Sequence, residues 1–106
     1  MEVLNLSEIG SRELLDGTEV RFVHADTMTV AYWRFDADAA LPEHAHPHEQ
    51  VTNVIEGVFD LTVDGKTTRL EPGSIAVIPP DAVHSGYAVT RCQIIDVFHP
   101  VREDYR

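Results

Sequence analysis

Six short runs rich in Val, Ile, Phe, Tyr and Thr constrain this chain more than any other feature. They are Glu19–Ala25, Met28–Phe35, Val51–Ile55, Val58–Val63, Ile75–Ile78 and Arg91–Phe98, most of them bounded by Gly, Pro or Asp. β-branched and aromatic side chains suit a pleated, half-buried strand, and the residues between the runs supply turns. Asp64-Gly65 predicts a hairpin turn after Val58–Val63. Glu56-Gly57 and Glu71-Pro72-Gly73 mark two further sharp turns. Only Ser7–Leu15 has room for a helical turn or two, and Gly10 weakens it. The expected fold class is therefore all-β, a small antiparallel barrel or jelly-roll sandwich. Alternate side chains of each strand enter the interior of such a barrel, so the interior can house a site.

One hundred and six residues suit one domain, 1–106, with no room for a second core. Hydrophobic residues make up 43%, which is ordinary for a folded chain and too high for a disordered one. No apolar run reaches the roughly 18 residues a membrane helix needs. The net charge of −10 argues against nucleic acid and anionic membranes as partners. Cys92 is the single cysteine, so no intrachain disulfide can form, and with no basic, apolar leader at Met1–Glu8 the expected location is cytoplasmic.

Chemistry concentrates at Pro42-Glu43-His44-Ala45-His46-Pro47-His48-Glu49-Gln50, which holds three of the six histidines. His44 and His46 lie two apart, so an extended backbone turns both to one side. If they close one strand, Pro47-His48-Glu49 forms a tight connection and Gln50 opens the next strand with the same parity. His48 and Glu49 are then exposed in the turn. The competing set, His46, His48 and Glu49, requires a strand to run through Pro47, which cannot donate to a ladder. A fourth ligand is expected from another strand. The segment Gly73–His84 supplies a turn, an apolar strand, a Pro-Pro-Asp corner and then His84. Nitrogen and amide-oxygen donors of this kind suit one divalent transition metal ion, with Ni, Zn, Fe, Mn and Co all acceptable. Because His44, His46, Gln50 and His84 are all neutral, the ion keeps its full charge. It becomes a stronger Lewis acid and a better trap for an anion within an acidic protein.

These residues resemble the two motifs of the cupin superfamily. The first, near 41–57, is matched by His44, His46, Gln50 and Gly57, with Gln in place of the usual Glu. The second, near 73–88, is matched by Gly73, Pro79, Asp81, His84 and Ala88, with Asp replacing a Gly and Ala replacing an Asn. The resemblance implies the cupin barrel and the ligands His44, His46, Gln50 and His84.

The last strand carries a second clue. Parity places Cys92, Ile94, Asp96 and Phe98 on one face. Asp96 is then either a buried carboxylate, whose desolvation raises its pKa toward a range useful for proton transfer, or a solvent-facing residue at an edge; parity leaves both open. The tail near 91–106, with Asp96, Phe98, Pro100, Arg102, Asp104 and Tyr105, resembles that of the KdgF-type cupins of pectin and alginate breakdown. The histidine cluster resembles the same group, although Gln-type isomerases and polyketide cyclases share that first motif. The resemblance implies an enzyme that opens 4,5-unsaturated uronates to linear 5-keto-4-deoxyuronates. It gives Asp96 and Arg102 catalytic roles, and Phe98 and Arg102 contact with a small anionic sugar. It also implies a homodimer, to which a strand-like Val3–Leu6 could add at a partner's sheet edge. The rival readings are another small cupin enzyme (isomerase, polyketide cyclase or dioxygenase) and a non-catalytic sugar-binding barrel. His24 and His99 are expected at the surface or behind the ligands, and Cys92 in the core.

Overall fold

Alternation decides which face each strand buries. In a computed structural model that describes residues 1–106, nine strands follow one another: β1 (Thr18–His24), β2 (Thr29–Phe35), β3 (Ala40–His44), β4 (Glu49–Glu56), β5 (Phe59–Val63), β6 (Lys66–Leu70), β7 (Ile75–Ile78), β8 (His84–Ala88) and β9 (Cys92–His99). They form two antiparallel sheets, ordered β1-β2-β9-β4-β7 and β3-β8-β5-β6. This is the expected all-β jelly-roll.

The inward residues of the larger sheet are Val20 and Phe22 on β1, Ala31, Trp33 and Phe35 on β2, Val54 on β4, and Cys92, Ile94 and Phe98 on β9. Phe59 and Leu61 of β5 meet them from the smaller sheet, with the Phe35 and Phe59 rings 5.3 Å apart. Burying side chains of this size contributes roughly 1.5–3 kcal/mol each. The same inward rows carry polar residues too: Thr29, Gln50, Thr52 and Asp96 are all buried. Antiparallel register gathers them, because Asp96 pairs with Ala31 on one side and Thr52 on the other, and Gln50 lies opposite Phe98. One end of the sandwich is thus closed by apolar side chains and the other is lined with polar ones.

Three strands were not among the six runs. β6 is the second arm of the Asp64-Gly65 hairpin and is exposed except at Leu70. β3 and β8 have weak strand composition and pair with each other, with a register shift between Leu41 and His44. Gly86 on β8 is small for a reason: a Cβ there would lie 2.2 Å from Cζ of Phe59. The Ser7–Leu15 helix shrinks to a 3-10 turn at Leu6–Glu8, capped where the Ser7 N–H donates to Asn5 Oδ1 at 3.0 Å. Beyond Gly10 the chain turns extended, and Arg12 bridges to Val20. Val3–Asn5 pairs with no strand, and its Val3 and Leu4 side chains are exposed.

Gly57 closes the β4–β5 corner with φ +88°, and a Cβ there would sit 2.0 Å from the Arg91 carbonyl oxygen. Gly57→Ala should therefore cost about 3 kcal/mol or more, because backbone has to move. Gly65→Ala, with φ +81° and open space around it, should cost only about 1–2 kcal/mol. Urea unfolding of both variants measures the difference; equal losses would mean the Arg91 contact does not constrain this corner.

Candidate metal centre

Three histidines arrive at one point by three routes. His44 ends β3, His84 opens β8, and His46 lies past the end of β3 in the loop to β4. The expected strand through both His44 and His46 is therefore shorter than predicted. A backbone bond from Asp81 N–H to the His46 carbonyl at 2.8 Å ties that loop to the corner before His84. The ligand atoms of His44, His46 and His84 all lie within 4.8 Å of one another.

Each imidazole is oriented from behind. His44 Nδ1 lies 2.8 Å from the Pro42 carbonyl, His46 Nδ1 3.1 Å from that of His48, and His84 Nδ1 2.9 Å from that of Ala82. A carbonyl only accepts, so each Nδ1 carries the proton and each Nε2 presents a lone pair. Partners of this kind fix the tautomer of a metal-ligating histidine. His84 Nε2 is buried with no hydrogen-bond partner.

Gln50 completes the picture. Its Nε2 donates to Thr52 Oγ1 at 3.0 Å, and that hydroxyl donates to Asp96 Oδ1 at 2.7 Å. The amide is thereby held with Oε1 turned to His46 Nε2, 3.0 Å away. Both atoms are acceptors, and two buried lone pairs at that distance repel unless a cation lies against them. A proton does not serve: burial first, then the Arg102 and His84 charges, lower the His46 pKa to about 4. Burial also lowers that of His84. The residues present therefore fit a divalent transition metal, with His44, His46 and His84 as the nitrogen donors and Gln50 Oε1 beside them.

Asp96 is the buried alternative of the two left open by parity. It is 8% exposed, and desolvation raises its pKa to about 6 against the opposing pull of Thr52, Gln50 and Arg102. A cavity of about 20 Å³ touches Gln50, Thr52, His84 and Asp96.

Arg102 is 5% exposed and lies over the Phe98 ring at 4.7 Å and the Tyr105 ring at 4.2 Å. Its Nε and Nη2 donate to the two carboxylate oxygens of Asp104 at 3.0 and 2.8 Å. The guanidinium is thus gripped on one edge and packed against two rings, which leaves Nη1 as its free end. Phe98 is buried, with one face under Arg102 and its ring set edge-on to His46 at 5.6 Å. A cavity of about 410 Å³ opens beside Arg102, His44, Trp33 and Tyr105.

The remaining histidines stay out of the cluster. His48 is half-buried rather than exposed, and Glu49 belongs to β4, exposed on its outer side. His24 stacks on Phe22 and meets Thr29 Oγ1 at 2.9 Å, while His99 is exposed. Thr52 and Thr29 were not among the residues expected at the site, and Asp104 was expected only as part of the tail, with no role. Thr52 was legible, since it shares the inward parity of Gln50. Thr29, which accepts the Arg102 backbone N–H at 2.9 Å, and Asp104 required knowing how the tail folds back.

The family model for the cupin domain matches residues 31–98. The chain belongs to the cupin family. Among solved cupins, an RmlC-like cupin of Shewanella frigidimarina superposes with a TM-score of 0.94 at 28% identity, covering 100% of this chain and 96% of that one. KdgF from Halomonas sp. superposes with a TM-score of 0.93 at 26% identity, covering 100% and 99%. An uncharacterized protein of Streptomyces coelicolor is 26% identical over 102 residues, 94% of this chain and 97% of its own length. A three-histidine cluster at the polar end of the barrel is the feature through which a cupin holds a metal.

Two outcomes follow. Purified cupin should contain about one divalent transition ion per chain, and His84→Ala should lose it by elemental analysis while keeping β-sheet circular dichroism; an unchanged metal content would place the ion elsewhere. Metal-free protein should also show the Asp96 burial in its stability. A carboxyl with a raised pKa adds stability below about pH 4 and loses it as pH rises through about 6, whereas His46 does the reverse between about 6.5 and 4. The unfolding free energy of Asp96→Asn minus that of the wild type should therefore grow by about 3 kcal/mol between pH 4 and pH 7. A flat difference would mean that Asp96 titrates as an exposed carboxyl.

Proposed function

We propose that the chain is one cupin domain over residues 1–106 that opens 4,5-unsaturated uronate monosaccharides to linear 5-keto-4-deoxyuronates. The observation that carries this reading is the pairing of a buried carboxyl, Asp96, with a braced cation, Arg102, beside the histidine cluster. The likeness over full length to KdgF of Halomonas supports it.

The substrate is at once an enol ether and a cyclic hemiacetal. Opening breaks the bond between C1 and the ring oxygen, leaves an aldehyde at C1 and frees an enol at C5. Proton delivery to C4 then gives the ketone. When bound, the dication supplies a Lewis acid that stabilises negative charge on oxygen. Asp96 moves a proton, either from the C1 hydroxyl or to C4. Since Oδ1 accepts the Thr52 hydroxyl, Oδ2 is the oxygen that exchanges it. A pKa of about 6 suits a group that must take and give a proton near neutrality. Arg102 meets the sugar carboxylate through its free Nη1 end, and the bidentate grip of Asp104 keeps it aimed. Phe98 braces Arg102 and His46 and keeps water from the reacting atoms.

In this reading the protein is a cytoplasmic homodimer that takes a small anionic sugar. Ile55, Ile75 and Val77 on the larger sheet, with Val3 and Leu4 of the N-terminal segment, are the exposed apolar residues available for a second copy.

The test uses lyase-generated unsaturated uronate, whose conjugated double bond absorbs in the ultraviolet. Metal-loaded protein should remove the absorbance faster than the spontaneous rate, and chelator-stripped protein should not. Asp96→Asn should lose about 10²–10⁴-fold in rate with metal content unchanged. Arg102→Ala should bind carboxylated sugars more weakly. Absorbance loss at the spontaneous rate in the wild type would reject ring opening, and full activity in Asp96→Asn would remove that residue from the chemistry.

A further inference from the structure

The two sheets turn very different outer faces to their surroundings. On the smaller sheet the outward register pairs are Asp60 with Arg69 and Thr62 with Thr67, joined by an ion pair at 2.9 Å and a hydroxyl bond at 2.7 Å. Tyr87 and Ser85 continue these two rows on β8. That is the outside of an antiparallel sheet with one face in water. The larger sheet departs from it. Val23, Val30, Val97, Val51 and Val77 are register partners in that order, one from each of β1, β2, β9, β4 and β7. Parity turns all five outward, since Phe22, Thr29, Phe98, Gln50 and Ile78 beside them are buried. The next outward row is Arg21, Tyr32, Ile95, Asn53 and Ile75, again one residue per strand.

Strand propensity does not explain a valine row across a whole sheet. Thr suits an outward strand position as well, and the smaller sheet uses it. A contiguous apolar face of this kind is one that another surface covers. The chain's own helical turns, Leu6–Glu8 and Glu103–Tyr105, are three residues each, too short to span five strands. The N-terminal segment is tied at the β1 edge, where Arg21 Nε donates to the Ile9 carbonyl at 3.0 Å. Charge and size select the occupant. The chain carries 18 acidic residues and a net charge of −10, so two copies repel across most of their surface. The two rows hold no acidic residue, and the adjacent Glu19 is paired with Arg21 at 2.8 Å and Arg34 at 3.0 Å. Five strands about 4.8 Å apart and about seven residues long present a face of about 600 Å². Two such faces together reach the roughly 1,200 Å² at which stable interfaces begin. A row of five identical side chains also fits itself. A two-fold axis lying between two stacked sheets and passing over β9, the middle strand, sets Val97 against its own counterpart.

We propose that the outer face of the larger sheet is an isologous interface, on which a second copy of this chain stacks face to face with the valine row at the centre. The homodimer of the reading above thereby gains a surface, while ring opening stays an independent claim. The arrangement differs from addition of Val3–Leu6 to a partner's sheet edge, because side chains alone meet and no backbone pairs between copies.

Sedimentation equilibrium of the full chain tests the interface. Wild type should sediment at twice the chain mass. Val97→Glu should weaken association about a hundredfold or more, because each added carboxylate faces its own copy, while metal content and β-sheet circular dichroism stay as in wild type. Removal of Met1–Leu4 should leave the dimer intact. Val97→Cys is the second variant and adds neither charge nor bulk. Cys92 is buried, so a short bismaleimide should link two copies through the introduced thiol and leave wild type unlinked. A monomeric wild type gives this face to some other partner and overturns the proposal. So does a folded, metal-bearing Val97→Glu protein that dimerises like wild type, or a dimer lost on removal of Met1–Leu4, which is the mark of strand addition. Should Val97→Glu not fold, a Val97→Cys dimer that cannot be linked overturns it. Turnover of unsaturated uronate by a monomer rejects this interface alone, and a valine-face dimer with no turnover rejects ring opening alone.

Discussion

Two acceptor atoms held 3.0 Å apart, His46 Nε2 and Gln50 Oε1, are the constraint on which the polar end of this barrel turns. Neither can rotate away. His46 is fixed by its Nδ1 bond to the His48 carbonyl, and Gln50 by its bond to Thr52 and, through it, Asp96. His44 and His84 are pinned in the same manner by carbonyls two residues upstream. In each case the backbone spends an acceptor to aim a lone pair inward. Such an arrangement is unfavourable by itself, since it gathers negative ends of dipoles in a place water reaches poorly. It becomes favourable once a dication is present, so the free energy of folding and that of metal binding are joined here.

The chain from the cluster to Asp96 gives the site its second property. Gln50, Thr52 and Asp96 are neighbours across β4 and β9, and all three point inward because they share parity and register. One hydroxyl thus orients both an amide at the histidine cluster and a buried carboxyl behind it. The cation of Arg102 sits beyond this chain, braced by two rings and a carboxylate, where it offsets part of the desolvation cost of an ionised Asp96.

Much of this was legible in the sequence, for reasons that are local. Ile75–Ile78 is the observed β7 to the residue, and the other five runs differ from their strands by one or two residues at an end. Those segments bury one face, so their composition betrays them. β3 and β6 are edge strands with mostly exposed side chains, and β8 holds Gly86 to make room for Phe59, so composition says little about them. His44, His46 and His84 came together as the motif spacing implied, although His46 does so from a loop and not from the strand. The grip of Asp104 on Arg102 and the anchoring of the tail on Thr29 depend on contacts between residues far apart in the chain or on a turn at its end. No period or motif encodes them.

X-ray absorption at the zinc edge of the zinc-loaded protein tests the central claim most directly. The account predicts a nitrogen and oxygen shell at about 2.0–2.1 Å with the outer-shell scattering of three imidazoles. An all-oxygen shell, or one with no imidazole scattering, would contradict it, because the three inward-facing Nε2 lone pairs would then have to be satisfied by something other than the ion.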